Sequence, residues 1–512
     1  MANRAVQIGP AIWLSLTIAV LILGSAAMLG LRAESWALAP GDWAALRFTV
    51  WQASLSALIS AALAIPTARA LFRRRFPGRA LLIRLLAAPF VLPVVVAVLG
   101  ILSIFGRQGP LNAALVAVGL PPVSIFGLHG VVLAHVFFNL PLATRMLLHG
   151  WQAIPSERFR LAQSLGLPAS AQFRHIELPM LRAQIPGILA VVFLICLTSF
   201  AVALTLGGGP KSSTLELAIY QALRFEFDLG RAALLATLQF LLCAVVTLAS
   251  ARLTLQQGFA AGLDRPLALR PPRGWQLAID ALTIAIAAVF LLAPLLAVVV
   301  KGLPGLTNLP NGLWQATLRS LVIALISAGV ATAASLRLAL GATRSRFVEL
   351  AAMLPLAASS LVLGTGLFLA LRPFVTPEAV ALPVTILVNA TLTLPFLVRL
   401  LLPEAQQLQA DYSRLTASLG LPPATVLRYV TLPRLARPLG YGAGLAAALS
   451  MGDLGVIALF AGDSGATLPL LVQRLMGAYR MTQAGAAALI LVTLSFALFW
   501  AFDRIGSRYA DA

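Results

Sequence analysis

The sequence predicts an all-α polytopic membrane protein, with twelve transmembrane helices arranged as two parallel repeats of six. Composition supports this class, because hydrophobic residues make up 60% of the 512 residues and charged residues only 11%. An average soluble domain contains roughly 25% charged residues, and a disordered chain combines low hydrophobicity with high charge. Both classes are therefore excluded. A third observation, a segment that occurs twice along the chain, predicts the two repeats.

Twelve apolar runs follow one another along the chain, each near the roughly 20 residues that a helix needs to cross a membrane. The first six lie near 11–31, 49–71, 81–106, 128–148, 185–207 and 232–251, and the second six near 277–300, 314–336, 350–371, 380–401, 438–461 and 484–502. The first run follows a single arginine, and its length favours a retained transmembrane helix over a cleaved signal peptide.

The basic residues predict how the chain is oriented. The 37 Lys and Arg outnumber the 17 Asp and Glu and give a net charge of +20. Cytoplasmic loops of membrane proteins are rich in Lys and Arg, which explains this excess better than nucleic-acid binding does. With the amino terminus inside, 26 basic residues fall in cytoplasmic segments and 11 on the other side. Both termini are therefore predicted to be cytoplasmic.

An internal repeat is visible without gaps. Residues 160–181 read RLAQSLGLPASAQFRHIELPML, and residues 414–435, which lie 254 positions later, read RLTASLGLPPATVLRYVTLPRL, so that 11 of 22 positions are identical. Further upstream, Trp51 and Trp314 each begin a similar pentapeptide, 263 positions apart. The chain therefore contains two homologous halves.

We place the first half at residues 1–256 and the second at 257–512, joined by a polar linker near 255–274. Each half holds an even number of spans, so the halves run parallel, related by an axis along the membrane normal. The best-conserved part of the repeat falls in two predicted cytoplasmic loops, at about 154–182 and about 408–436.

The first loop has the pattern of a helical hairpin. Pro155 is predicted to begin a helix that Gly166 ends, and a second short helix over about 169–178 is predicted to end at Pro179. Five residues could form one apolar face: Phe159, Ala162, Leu165, Phe173 and Ile176. A hairpin that only covers its own bundle is the alternative, but two copies of an exposed glycine elbow serve no evident packing need.

These residues carry a resemblance to a known family. The pattern Ala162-x3-Gly166-x9-Ile176-x-Leu178-Pro179 resembles the EAA loop of ABC importer permeases, and Gly420, Val430, Leu432 and Pro433 occupy the matching positions of the second copy. Neither copy keeps the leading Glu-Ala-Ala, because Arg160-Leu161-Ala162 and Arg414-Leu415-Thr416 stand there instead.

The resemblance implies a type I ABC importer permease in the inner membrane of a bacterium. In this family the loop docks into a groove on a cytoplasmic ATPase subunit, and ATP-driven closure of the ATPase pair moves the spans. Two loops in one chain imply two ATPase subunits below it, with a periplasmic substrate-binding protein above. The implied coupling residues are Arg160, Ala162, Gly166, Ile176, Leu178 and Pro179 in the first loop, and Arg414, Gly420, Val430, Leu432 and Pro433 in the second.

A narrower resemblance concerns the substrate. The segment Ser450–Asp463, followed by Thr467-Leu-Pro469 and Gly477-Ala-Tyr-Arg480, is similar to the fused permease of thiamine and thiamine diphosphate importers. This similarity implies a path for thiamine or its phosphate esters that works by alternating access. Fused permeases for ferric iron, or for another small solute, share the two-half architecture and are the alternative.

The chain lacks the sequence patterns of an ATPase or an enzyme. A P-loop needs a Gly-Lys pair, and neither of the two lysines, Lys211 and Lys301, follows a glycine. The four histidines show no metal-ligand spacing, and Cys196 and Cys243 lie inside apolar runs, where a nucleophile is implausible. We therefore expect a transport subunit that binds no cofactor or metal itself, with ATP and magnesium held by the partner ATPase.

One carboxylate stands inside a predicted span. Asp453 lies in the eleventh run, and its repeat counterpart, Ser199, is neutral. Because intramembrane carboxylates usually face a cavity or a partner, we interpret Asp453 as a counter-charge for a cation such as the thiazolium of thiamine. A structural hydrogen bond or ion pair is the alternative. His135 and its counterpart Asn389 are further candidates for the path, with a satisfied interhelical hydrogen bond as their alternative.

Two other function classes fit the sequence less well. A self-sufficient secondary transporter also has twelve spans in two halves, but it would need titratable relays in several spans, and the sequence offers essentially one. A membrane-embedded enzyme is disfavoured, because the spans lack paired acids and metal-ligand clusters. Co-purification of an ATPase would separate the importer permease from the secondary transporter.

Overall fold

The computed structural model of the chain describes residues 2–33, 36–86, 88–207, 209, 212–253, 274–462 and 465–511. The linker predicted near 255–274 lies outside these residues except for Gly274, as does the proposed boundary between the halves. Helices make up 84% of the structure, and the described residues contain no strand. The prediction of an all-α protein is therefore confirmed.

The first half begins with two long helices and continues with several shorter ones. Its helices are α1 (Ala2–Arg32), α2 (Pro40–Arg73), α3 (Arg79–Leu85), α4 (Ala88–Val91), α5 (Val94–Phe105), α6 (Pro110–Ala117), α7 (Leu128–Gln152), α8 (Ser156–Ser164), α9 (Ala169–Gln172), α10 (Leu178–Leu197), α11 (Phe200–Leu206), α12 (Leu215–Gln221) and α13 (Leu229–Leu253).

The second half repeats much of this order. Its helices are α14 (Trp275–Gly305), α15 (Leu313–Ala342), α16 (Arg346–Met353), α17 (Ser360–Leu371), α18 (Ala381–Ser418), α19 (Pro423–Val426), α20 (Leu432–Met451), α21 (Gly455–Phe460), α22 (Leu468–Gly477) and α23 (Met481–Asp511). Short π-helical or 3₁₀ turns connect several of them.

Among the described residues, eleven helices or continuous helical segments are long and apolar enough to cross a membrane, and one bent pair brings the number to twelve. The bent pair is Arg346–Ala357 and Ser360–Leu371, whose axes differ by 91°. The run predicted near 350–371 is therefore broken into two helical pieces and is not one continuous helix. Pro355 lies in a 3₁₀ turn at the break, and Ser359 caps α17 by accepting a hydrogen bond from the Val362 N–H.

Three other predicted spans are interrupted. The run 81–106 is divided among α3, α4 and α5, the run 185–207 breaks between α10 and α11, and the run 438–461 breaks between α20 and α21. An apolar run cannot reveal such breaks, because they depend on polar groups elsewhere in the fold that satisfy the freed backbone. The breaks after α10 and α20 lie at the same place in the two halves.

The first helix of each half packs against the opposite half. Helix α1 contacts α15, α16 and α17, and helix α14 contacts α2 and α5. At one of these crossings the backbone of Gly366 in α17 lies so close to Ser25 in α1 that a β-carbon on the glycine would stand 2.7 Å from the serine Cβ. The two halves therefore share one continuous apolar core.

Helix α2 defines the two faces of the protein. Near its start, Asp42 forms an ion pair with Arg231 at the beginning of α13, and near its end Arg69 forms one with Glu177 in the first predicted loop. Asp42 and Arg69 stand 27 residues apart on α2, so the two ion pairs are separated by about 40 Å at 1.5 Å per residue. We call the end that carries the two predicted loops the loop face and the opposite end the far face.

Candidate functional site

The two predicted loops share one backbone conformation at the glycine elbow. Gly166 has φ 64° and Gly420 has φ 59°, both in the left-handed region that favours glycine. In the first loop, the Leu167 N–H donates to the Ala162 carbonyl at 2.9 Å, and in the second the Leu421 N–H donates to the Thr416 carbonyl at 3.2 Å. Both glycines therefore end a helix with the same capping turn.

Beyond the elbow, the chain enters the membrane without a second helix end. In both loops a four-residue helix passes through one π-helical turn, residues 173–177 or 427–431, directly into α10 or α20. The prediction that Pro179 ends a helix is wrong. Pro179 and Pro433 are the second residues of α10 and α20, so each proline directly follows the π-helical turn without ending the helix.

The first loop is held to the membrane helices by a buried acid. Both Glu177 oxygens accept hydrogen bonds from Arg69, at 2.7 and 3.1 Å, and one accepts from the Trp151 indole at 3.2 Å. Arg73 lies 3.4 Å from the same carboxylate, and the Arg69 guanidinium also stacks 4.5 Å from the Phe173 ring centroid. One carboxylate therefore joins α2, α7 and the loop.

An aromatic cluster supports the same loop. The Phe72 ring lies 6.5 Å from Trp151 and 6.0 Å from Phe159, measured between centroids. Phe159 and Ala162, on the first helix of the loop, are buried. The predicted apolar face is therefore only partly right, because Leu165 is 65% exposed.

The second loop lacks this anchor. At the 254-residue offset, Thr431 replaces Glu177, Ala405 replaces Trp151 and Ser413 replaces Phe159, and at the 263-residue offset Thr332 replaces Arg69. In addition, α18 continues from the membrane to Ser418, whereas in the first half α7 ends at Gln152 before the loop helix begins. The first loop is thus fixed by side chains and the second by an unbroken helix.

Four exposed leucines occupy equivalent places on the two loops. Leu161 and Leu165 are 62% and 65% exposed, and Leu415 and Leu419 are 53% and 62% exposed. Sequence reasoning missed them as a set, although their positions in the repeat were visible. Of the predicted coupling residues, Ala162 is buried, Arg160, Ile176, Leu178, Val430, Leu432 and Pro433 are half-buried, and Gly166, Pro179, Arg414 and Gly420 are exposed. The loop face therefore presents two similar apolar patches.

The anchoring role of Glu177 predicts that loss of its charge loosens the first loop. In Glu177→Gln, the side chain keeps its shape but leaves Arg69 without its carboxylate partner and removes one of the two acids that interact with Arg73. We expect local opening of the first loop to become about tenfold more frequent, equivalent to ~1.4 kcal/mol. Hydrogen exchange of the backbone amides of residues 173–181 measures this opening.

The matched control is Thr431→Val at the equivalent buried position, for which we expect no comparable change in either loop. Exchange in the second loop should also be unaffected by Glu177→Gln. Unchanged exchange in the first loop of the Glu177 variant would contradict the anchoring role.

A cavity lies inside the membrane region, where four helical segments meet. It has a volume of about 260 Å³, near the lower end of the size of small-molecule sites. Its wall includes Thr198 after α10, Ser359 before α17, Asn389 and Thr393 on α18, Ser450 in the last turn of α20 and Asp453 just after that helix. Both halves therefore contribute to it, and three of the four segments are at helix breaks.

Asp453 supplies the one acidic group among the residues that line this cavity. Its Oδ1 accepts a 3.3 Å hydrogen bond from the Gly455 N–H, whereas its Oδ2 is buried with no partner in the structure. Beside it, the Asn389 amide donates to the Ser450 hydroxyl at 3.0 Å. A carboxylate with a free oxygen, set among neutral polar groups, can neutralise one positive charge of a bound solute.

The structure brings two of the four predicted path residues together and separates the other two. Asp453 and Asn389 line the cavity, whereas His135 lies elsewhere, buried with its Nδ1 3.3 Å from the Ser56 hydroxyl. Ser199 directly precedes α11, next to Thr198 at the cavity wall, and its side chain makes no capping hydrogen bond to that helix. Thr198, Ser359 and Thr393 were not singled out in the sequence, because hydroxyl residues in apolar runs are common and the helix breaks that aim them were not visible.

Comparison with known proteins gives long, closely related sequences. The chain is 42% identical over 485 residues to the thiamine transport system permease protein of Salmonella typhimurium (strain LT2), covering 91% of this chain and 90% of that protein. It is 41% identical to the protein of the same name from Escherichia coli (strain K12), covering 99% of both. A shorter match, 28% identical over 40% of this chain and 73% of the relative, is to a sulfate transport system permease protein of Synechocystis. No protein-family model matches the chain.

Proposed function

The chain belongs to the family of thiamine transport system permease proteins, and on that premise we propose that it forms the path by which thiamine or its phosphate esters enter a bacterial cell. The path works by alternating access, and its energy comes from ATP hydrolysed on separate subunits. The chain is thus a multi-pass membrane transport subunit, and the chemical step belongs to its partners.

The observation that carries the substrate proposal is the free carboxylate oxygen of Asp453 in the membrane cavity. Moving a charged solute out of water costs desolvation free energy unless an opposite charge in the site compensates for it. A single carboxylate among amide and hydroxyl groups suits an organic ion with one delocalised positive charge, such as a thiazolium. Hard metal cations favour several oxygen ligands, and only one lining residue of the cavity is acidic.

Each face of the protein is assigned a different partner, the ATPase subunits at the loop face and a binding protein at the far face. The exposed leucines of the two loops, Leu161, Leu165, Leu415 and Leu419, are solvent-accessible apolar groups of the kind that mark protein interaction sites. We propose that each loop docks on one ATPase subunit through these leucines and the residues around Gly166 and Gly420. ATP and magnesium then bind to the ATPase pair, and this chain binds no cofactor. A periplasmic substrate-binding protein delivers the solute at the far face.

This arrangement sets the orientation. The loop face and both termini lie in the cytoplasm of a bacterium, and the far face points to the periplasm. The two halves, residues 1–256 and 257–512, act as the two arms of the permease. Because the cavity wall includes residues of both halves at helix breaks, a relative movement of the arms changes its shape and therefore its affinity, which coupling to ATP requires.

A reconstitution experiment tests this proposal. The chain, its ATPase subunits and the cognate binding protein are placed in liposomes, and ATP hydrolysis is measured with the binding protein loaded with thiamine, thiamine diphosphate or ferric iron. We expect thiamine compounds to stimulate hydrolysis and to accumulate inside the vesicles. Stimulation by ferric iron alone, or uptake by the chain without any ATPase, would overturn the proposal.

A further inference from the structure

Two arginines lie within membrane-spanning helical segments and have no counter-charge there. Arg145 is in α7 and Arg399 is in α18, 254 positions later, so that each half carries one. Both residues are exposed, and neither side chain forms an ion pair or a hydrogen bond with any residue that the structure describes. An unpaired charge within a span is costly and indicates a substrate path or a partner. Contacts within the chain therefore do not explain these two residues.

The face of α18 that carries Arg399 also lines the membrane cavity. Leu392 and Phe396 are part of the cavity wall, and Arg399 follows them seven and three residues later, the spacing of one helix face. Helix α18 continues beyond Arg399 to Ser418, directly before the elbow of the second loop. Arg399 therefore stands about 4.5 Å beyond Phe396 along the helix axis, on the side of the cavity nearer to the loop face.

The first half repeats this stripe. At the 254-residue offset, Phe138, Leu142 and Arg145 occupy the positions of α7 that are equivalent to the stripe on α18. Phe138 and Leu142 are half-buried and Arg145 is exposed, although 72% of the central apolar part of α7 is buried. With a repeat axis along the membrane normal, the two arginines stand at the same depth, one on each arm.

The cavity itself offers a phosphate no positive charge. Asp453 is the charged residue of its wall, and none of the lining residues is basic. A thiamine phosphate ester carries a cationic ring and, on a short ethyl chain, a phosphate whose charge at neutral pH is about −1.5 to −2. Such a solute needs a counter-charge opposite in sign to Asp453. Arginine suits this need, because its planar guanidinium forms two parallel hydrogen bonds to phosphate oxygens.

We propose that Arg145 and Arg399 bind the phosphate of thiamine phosphate esters as these leave the cavity towards the cytoplasm, a proposal that rests on the proposed function. Unphosphorylated thiamine has no group for the arginines, so its passage depends on Asp453 and not on them. Because one arginine stands on each arm, movement of the arms changes the spacing between them. The phosphate is therefore bound with different affinity in the two states of the transporter, as release requires.

Lipid headgroups are a second source of phosphate near this depth, and a basic side chain near a helix end can extend to them. Arg337 on α15 fits that role. In the repeat, α15 corresponds to α2, because Trp314 and Trp51 begin similar pentapeptides, so α15 also ends at the loop face. Arg337 is exposed, follows the exposed Val330 on the same helix face, and does not line the cavity. It provides a matched control.

The test compares import of thiamine and of thiamine diphosphate by the full transporter complex in liposomes, with the binding protein loaded with one or the other. The variants are Arg145→Gln, Arg399→Gln and the double variant, since glutamine retains hydrogen-bonding groups but no charge. We expect import of thiamine diphosphate by the double variant to fall about tenfold, which is ~1.4 kcal/mol. We expect thiamine import to remain near the wild-type rate, which also shows that the variant is folded and coupled to ATP.

Arg337→Gln should leave the ratio of the two import rates unchanged. An equal fall for both compounds in the double variant would assign the arginine pair to lipid anchoring or to folding, and would overturn the proposal. Unaltered import of thiamine diphosphate would overturn it too, as would a wild-type complex that imports thiamine and not its diphosphate. If the wild-type complex imports neither compound with ATP present, the proposed function fails instead.

Discussion

Replacing Gly166 and Gly420 together by valine is expected to lower ATP-driven transport by about 30-fold or more, while the chain still inserts and folds. A left-handed backbone costs a residue with a β-carbon ~1–2 kcal/mol at each position, and ~1.4 kcal/mol corresponds to a factor of ten. A β-carbon at either glycine meets no atom within 4 Å. The change therefore strains the elbow without disturbing any packing, and coupling to the ATPase suffers before folding does.

The matched control is Gly119→Val. Gly119 has φ 79° and equally open surroundings, but it follows α6 at the far face, so valine there imposes the same kind of strain away from the loops. Transport and ATP hydrolysis are measured in the same liposomes, together with the amount of chain in the membrane. Wild-type transport by the double variant would count against the elbow as the coupling element, and an equal loss at Gly119 would assign the effect to strain in general.

The sequence predicted the elbows well because they are local. A glycine at the end of a helix, repeated after 254 residues, needs only its own neighbours to adopt a positive φ, whether the helix before it is short, as α8 is, or long, as α18 is. The number of spans was also accessible, since about 20 apolar residues are a length requirement. The positions of the helix breaks were not accessible. Pro355 lies at the 91° bend of the run 350–371, but Pro395 lies inside the unbroken helix α18, so a proline in an apolar run does not by itself predict a break.

Contacts between distant residues explain what the sequence missed at the candidate site. Glu177 occupies the variable position of the loop pattern, and its partner Arg69 is 108 residues away. A signal was present: Arg69 and Arg73 lie one helical turn apart and so share a face, and such a pair at a membrane boundary needs an acid. The contacts of α1 and α14 with the opposite half cannot be predicted from hydrophobic periodicity, since both partners of each contact are simply apolar.

The role of Asp453 was predicted from the free-energy cost of placing a carboxylate inside a membrane. The residues beside it in the cavity wall were not predicted as a group. A carboxylate within an apolar run indicates a cavity or a partner, and the structure provides the cavity. Asp453, Asn389, Ser359 and Thr198 line the same cavity. Predicting this would have required knowing the helix breaks after α10 and α20 and before α17. What made the prediction possible was the chemistry of a single residue, whereas the shape of the site is a property of four chain segments.

Asp453→Asn is the second change with a large expected effect. The amide is nearly isosteric and can still accept a hydrogen bond from the Gly455 N–H, so only the negative charge is lost. Removing one partner of a buried charge pair costs ~2 kcal/mol or more, or about 30-fold in rate or affinity. We therefore expect thiamine import to fall by about that factor, while the loaded binding protein still binds to the complex.

Two comparisons isolate the charge. Glu216→Gln alters another fully buried carboxylate, one that does not line the cavity, and should reduce import far less. A thiamine analogue with carbon in place of the thiazolium nitrogen has a neutral ring, so it gains nothing from a carboxylate and its import should be nearly equal in wild type and Asp453→Asn. If import of the neutral analogue and import of thiamine fall equally in the Asp453→Asn variant, Asp453 shapes the cavity and does not bind the cation. Only an interaction with the ring charge can distinguish two solutes of the same shape.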